Sequence, residues 1–163
     1  MRALPCLRWA FLAVALVGSA CEKQEIEGPP PADHGPAPDP SDDPLGARLH
    51  GYGFERAPAY APQLSVFRGE LRQGQVADHS VVLIGTRCYV VAAVAEEGMA
   101  DLDVTLIDAN GSPLMRDASA EDSAIIGLRS AICPSVPGEY RIRLRARAGG
   151  GAYAARLYAQ DII

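Results

Sequence analysis

An all-β domain is the fold this sequence predicts: an antiparallel β-sandwich or jelly roll of about eight strands, preceded by a signal peptide and a disordered linker. Two observations predict the strands. From residue 65 to residue 160, runs of alternating apolar side chains are separated by Gly, Pro, Asn and Asp at intervals of roughly ten residues, which is how short strands joined by turns read. No stretch keeps the apolar period of a helix. A third observation sets the domain apart from what precedes it. Seven of the chain's thirteen prolines fall between residues 22 and 46.

Residues 1–20 read as a secretory signal. Arg2 and Arg8 are the only charges there, "WAFLAVALV" runs from Trp9 to Val17, and Gly18, Ser19 and Ala20 offer a small-residue cut site. The apolar run is about half of the ~20 residues that a spanning helix needs. Cys21 follows at once. "LVGSAC" resembles the lipobox of bacterial lipoproteins, with Gly18 where leucine is usual, and the resemblance implies a lipid on Cys21 and attachment to a membrane of the cell envelope. The same small residues also suit an ordinary signal peptidase, which would leave a soluble secreted protein with a free Cys21. Cysteine counting favours the lipid. Cys6 leaves with the signal, and an odd number of thiols remains in an exported chain. A lipidated Cys21 leaves Cys88 and Cys133 as a disulfide pair in an oxidising compartment.

Residues 21–46 form the tether. Seven acids stand against Lys23, and the near-absence of apolar side chains leaves too little surface to bury against the entropy of ordering. Proline and charge keep such a segment extended as a surface spacer. Residues 47–163 carry twelve arginines and thirteen acids, close to neutral. There is no basic excess of the kind that drives nucleic-acid binding.

Within the domain, "ARLHGYGFERAPAYAPQ" is an irregular lead-in. Strands are expected at Ser65 to Leu71, Gln75 to Leu83, and Arg87 to Ala95, the last apolar on both faces and therefore central. Leu102, Val104 and Leu106 point inward from the next strand, which ends at the turn "DANGSP". A short strand around Leu114 to Arg116 follows, then Ala124 to Cys133. Glu139 to Arg147 and Ala152 to Gln160 read as a closing hairpin across "AGGG". In "YRIRLRARA", Tyr140, Ile142, Leu144 and Ala146 share one face, and Arg141, Arg143, Arg145 and Arg147 the other. Such a ladder either binds an anionic polymer or is a solvated face neutralised by acids on a neighbouring strand. The near-neutral charge favours the second.

Five short segments in order, "RQGQVADHSVVL", "CYVVAAVA", "DLDVTLIDANG", "PGEYRIRLRA" and "GGAYAARLY", are similar to the bacterial prepeptidase C-terminal type of domain over about Gly69 to Gln160. The resemblance implies a secreted, non-catalytic β-sandwich or jelly roll, some of whose relatives bind calcium. Such domains usually sit behind a peptidase, whereas this one stands on a tether. A bond from Cys88, at the start of the central strand, to Cys133 closes a loop of about 45 residues, for ~4 kcal/mol in the chain-entropy picture.

Catalytic signatures are not found: there is no GxSxG, HExxH or P-loop. His34 lies in the tether and His50 in the lead-in, while His79 and Ser80 are strand neighbours that point to opposite faces. Asp101 and Asp103 are read as sharing the outer face of their strand, as a candidate calcium pair or, better, as partners for a neighbouring arginine ladder such as Arg141 and Arg143. Asp108 and Asn110 belong to the following turn, ~10 Å away. No catalytic residue and no cofactor other than calcium is assigned, and the ligand site is left unassigned. The expected function is an envelope-bound binding or structural module, with envelope polysaccharide or another envelope protein as partner. A calcium-dependent adhesion or carbohydrate-binding module and a small hydrolase built around His50 or His79 are the alternatives.

Overall fold

The structure is a computed structural model and describes residues 43–117 and 119–162. The signal, most of the tether, Cys21 and His34 lie outside the described residues. The described residues form one helix, α1 (Pro44–Arg56), and eight strands: β1 (Ala61–Leu71), β2 (Val76–Leu83), β3 (Arg87–Ala95), β4 (Met99–Ile107), β5 (Pro113–Asp117), β6 (Ser123–Ile126), β7 (Gly138–Gly149) and β8 (Gly151–Asp161).

The strands make two four-stranded antiparallel sheets, sheet A in the order β1-β8-β3-β6 and sheet B in the order β2-β7-β4-β5. The pairs nest: β4 with β5, β3 with β6, β2 with β7, β1 with β8. A long ribbon folded back on itself in this way is a jelly roll, as the sequence predicts.

The nesting corrects one expectation. β7 and β8 do not form a hairpin. β7 pairs with β2 and β4 in sheet B, and β8 with β1 and β3 in sheet A. The glycines between them turn the corner from one sheet to the other. Gly149 has φ 74°, and a Cβ there would overlap the carbonyl of Gly98. Glycine is needed for both the left-handed backbone and the close approach.

The core between the sheets is built from the inward residues of alternating strands, among them Leu83, Val91, Leu102, Leu106, Ile142 and Leu144. β3 is central and buried on both faces, as expected, but its second face is covered by a helix the sequence reading does not contain. Val90, Ala92 and Val94 of β3 and Ala154 and Tyr158 of β8 pack against Leu45 and Leu49 of α1. Asp43 caps the helix by accepting the Gly46 N–H at 2.9 Å, and Pro44 occupies its first turn. Asp43 also takes Arg68 of β1, which pins the cap to sheet A. Burying Leu45 and Leu49 contributes about 1.5–3 kcal/mol each. The boundary of the tether therefore moves: residues 43–46, assigned to it above, belong to the folded domain.

A second correction concerns Ala124 to Cys133. The strand stops at Ile126, because Gly127 (φ 97°) breaks it, and only an isolated bridge between Tyr89 and Ile132 resumes the pairing. That bridge brings Cys133 beside Cys88, and the two form the expected disulfide.

Candidate functional site

The two outer faces of the sandwich differ. α1 seals the middle of sheet A, whereas the outer face of sheet B carries no covering element among the described residues. Alternation along β7 sends Ile142, Leu144 and Ala146 into the core and Arg141, Arg143, Arg145 and Arg147 onto this open face. Arg116 joins them from β5, in register with Thr105 of β4.

Two acids hold the arginines. Asp78 on edge strand β2 accepts two bonds from Arg143, at 2.7 Å each, with Arg141 at 3.6 Å. Those bonds hold its carboxyl below the usual range against the opposing effect of burial, and they raise Arg143. On β4, Asp103 accepts Arg116 at 2.6 Å on Oδ2, with Arg147 at 3.8 Å. Arg145 is exposed and has no ion-pair partner among the described residues, although Asp103 is its cross-strand neighbour.

The expectation for Asp101 and Asp103 is therefore corrected. β4 and β7 are neighbours, as the proposed pairing requires, but the arginines matched to Asp103 are Arg116 and Arg147, and Arg141 and Arg143 go to Asp78. Asp103 is not a solvated outer residue. It is 2 % exposed, in a central strand beneath the guanidinium groups that pair with it. Two register offsets flank Asp101, so the regular alternation assumed for the two aspartates is interrupted between them. Oδ1 of each is buried without a hydrogen-bond partner. Among the described residues no group of three acid, histidine or cysteine side chains is close enough to hold a metal ion.

Asp108 is a turn residue. Its Oδ1 accepts the backbone N–H groups of Asn110 (2.9 Å) and Ser112 (2.7 Å), and Gly111 takes the positive φ of the β4–β5 hairpin. The two histidines of the hydrolase alternative lie on different elements, His79 on β2 and His50 on α1. His79 points inward, stacks on Phe67 with ring centroids 4.8 Å apart, and meets the Tyr153 hydroxyl at 2.8 Å. Ser80 and Asp78 point to the outer face. His50 stands on α1 near Phe54. Neither imidazole forms an ion pair with a carboxylate among the described residues.

A cavity lies where edge strands β1 and β2 face each other across the mouth of the sandwich. It measures about 410 Å³ and is lined by Phe67, Val81, Val82, Tyr89 and Leu157, with Arg87 at its rim. Arg87 is engaged by Asp161 at 2.7 Å.

No protein-family model matches the chain, and no curated protein matches it. Among solved structures, the chain is similar to PliG of Aeromonas hydrophila, a periplasmic lysozyme inhibitor of g-type lysozyme. The two share 10 % identity at a TM-score of 0.44, over 64 % of this chain and 90 % of that one. The fold described above rests on the strand pairing of this chain itself. Among the described residues, no helix is long and apolar enough to cross a membrane.

Proposed function

We propose that this protein is an exported, non-catalytic binding module of the cell envelope, attached to a membrane through lipid on Cys21, and that the outer face of sheet B is its ligand surface. One observation carries the reading: α1 closes the face of sheet A, and the face left open carries five arginines, four on β7 and one on β5. The five segments that resemble the prepeptidase C-terminal type of domain fall on β2, β3, β4, β7 and β8, which supports an accessory module over an enzyme. The partner is envelope polysaccharide or an envelope protein. Mass spectrometry of the exported chain tests the anchor: a diacylglyceryl or triacyl adduct on Cys21 is expected, and an unmodified N-terminus would refute it.

The surface is tested by co-sedimentation of the mature chain with isolated envelopes. Thr105→Trp, between Arg143 and Arg116 on β4, is expected to abolish retention, and His50→Trp, on the outer side of α1, to preserve it, with the melting temperature of each variant checking its fold. The opposite pattern contradicts the assignment.

A calcium-dependent adhesion module is a second reading, favoured by the two unpartnered oxygens of Asp101 and Asp103. It requires a rise in melting temperature at millimolar calcium that Asp101→Asn removes. No rise dismisses it.

A further inference from the structure

Solvent meets the two components of the sheet B ion pairs unequally. Asp103 has a side chain 3 % exposed, while Arg116 and Arg147, which pair with it, are each 47 % exposed. Asp78 is 31 % exposed against 41 % and 42 % for Arg141 and Arg143. Asp103 lies at the base with its guanidinium groups above it, whereas Asp78 stands exposed on the edge strand. The domain's near-neutral total therefore conceals a segregated surface. Several of its acids neutralise arginines elsewhere, as Asp43 does Arg68, Asp122 does Arg48 and Asp161 does Arg87. Glu139, at the end of the β7 row opposite Val82, is a further exposed acid of this face.

The row on β7 has a fixed geometry. Residues two apart on a strand recur every ~7 Å, so Arg141 to Arg147 present four guanidinium groups over ~20 Å. Arg143 is committed on two of its donors. Arg145 is uncommitted among the described residues, and Arg141 and Arg147 sit at long range from their acids, so these three retain free planar donors suited to a carboxylate.

Between the arginines the face carries Val76, Ser80, Val82 and Thr105, all short side chains. Among the described residues it has no aromatic ring on which a nucleobase would stack, as single-stranded nucleic-acid sites do.

From this juxtaposition we infer that the outer face of sheet B binds an extended acidic polysaccharide through its uronate carboxylates, with Arg141, Arg145 and Arg147 as the principal contacts. The inference rests on the assignment of this face as the ligand surface.

Polygalacturonate is the probe. In isothermal titration of the mature chain at low salt, it is expected to bind where neutral dextran does not. The affinity should fall tenfold or more in Arg145→Ala/Arg147→Ala, and should fall as salt is raised. Arg48→Ala, which removes a charge from α1 over sheet A, is expected to leave affinity unchanged. Arg145 has no partner to lose, and the melting temperature of each variant checks its fold. Absence of polygalacturonate binding overturns the inference, as does an equal loss in Arg48→Ala, which would mean attraction by net charge alone. Envelope retention that is still lost in Thr105→Trp under those outcomes would leave the surface assignment standing and sink only the ligand class.

Discussion

Asp103 lies beneath Arg116: a carboxylate in a central strand, almost fully buried, bound on one oxygen at 2.6 Å by a guanidinium from the neighbouring strand that is half exposed. A buried charge is tolerated only when it is paired, and the cost of breaking the pair depends on which partner is left behind. Arg116→Ala leaves Asp103 with Arg147 at 3.8 Å and should destabilise the fold by about 1–3 kcal/mol. Arg145→Ala leaves nothing unpaired and should fall within about 0.5 kcal/mol of wild type. Urea unfolding of the two variants measures the difference. Equal effects would show that Asp103 is not held as described.

Gly53 and Gly51 of α1 make opposite predictions. A Cβ at Gly53 would overlap the ring of Tyr158, whose hydroxyl donates to the Leu49 carbonyl, while one at Gly51 meets nothing within 4 Å. Gly51→Ala should stabilise by about 0.5–1 kcal/mol through helix propensity. Gly53→Ala should destabilise by about 1–3 kcal/mol, because the overlap outweighs the same gain. Thermal melts of the pair decide whether α1 is seated on sheet A as described.

The helix also shows where the sequence was legible and where it was not. Strand alternation around Ile142, Leu144 and Leu102 reported the sandwich because one face of each strand is buried and the other wet. α1 buries only Leu45, Leu49 and Gly53 along its length, and two internal glycines dilute the pattern. Asp43 followed by Pro44 was the available signal, a cap and a first-turn proline, inside a segment whose composition reads as linker. Chain crossing was equally hidden. Adjacent strands with a glycine turn look alike whether they stay in one sheet or change sheets, so β7 and β8 read as a hairpin. Asp103 could not be placed from its spacing, since its burial depends on Arg116, thirteen residues away on another strand.

Stability should fall in two separate steps with acid. Burial holds the His79 imidazole below its usual value, and Asp78 opposes this only in part. A histidine whose folded value is depressed favours the neutral form. Its contribution is fully present above the unfolded value of 6.5 and is lost as pH falls from there towards the folded value. Asp78 behaves in the lower range. Arg143 holds its folded value down, so its contribution is present above the unfolded value of 3.8 and is lost as pH falls below it through the folded value. In pH-dependent melts, His79→Gln should remove the upper step and keep the lower, and Asp78→Asn should reduce the lower. An upper step that persists in His79→Gln would reject the assignment.

The Cys88–Cys133 bond closes a 45-residue separation, and its removal by Cys88→Ala/Cys133→Ala should cost about 4 kcal/mol by chain entropy. Denaturant unfolding under oxidising conditions measures it. A loss below about 1 kcal/mol would mean that the bond does not constrain the unfolded chain.

The central claim is that the open face of sheet B, and not α1 or the β1–β2 mouth, meets the ligand. Arginine side-chain Nε–Hε signals report this directly in a nuclear magnetic resonance titration of the mature chain with solubilised envelope polysaccharide. Shifts are expected at Arg141, Arg145 and Arg147 with Arg48 unmoved; shifts confined to Arg48 on α1, or to Arg87 at the mouth, would contradict the claim.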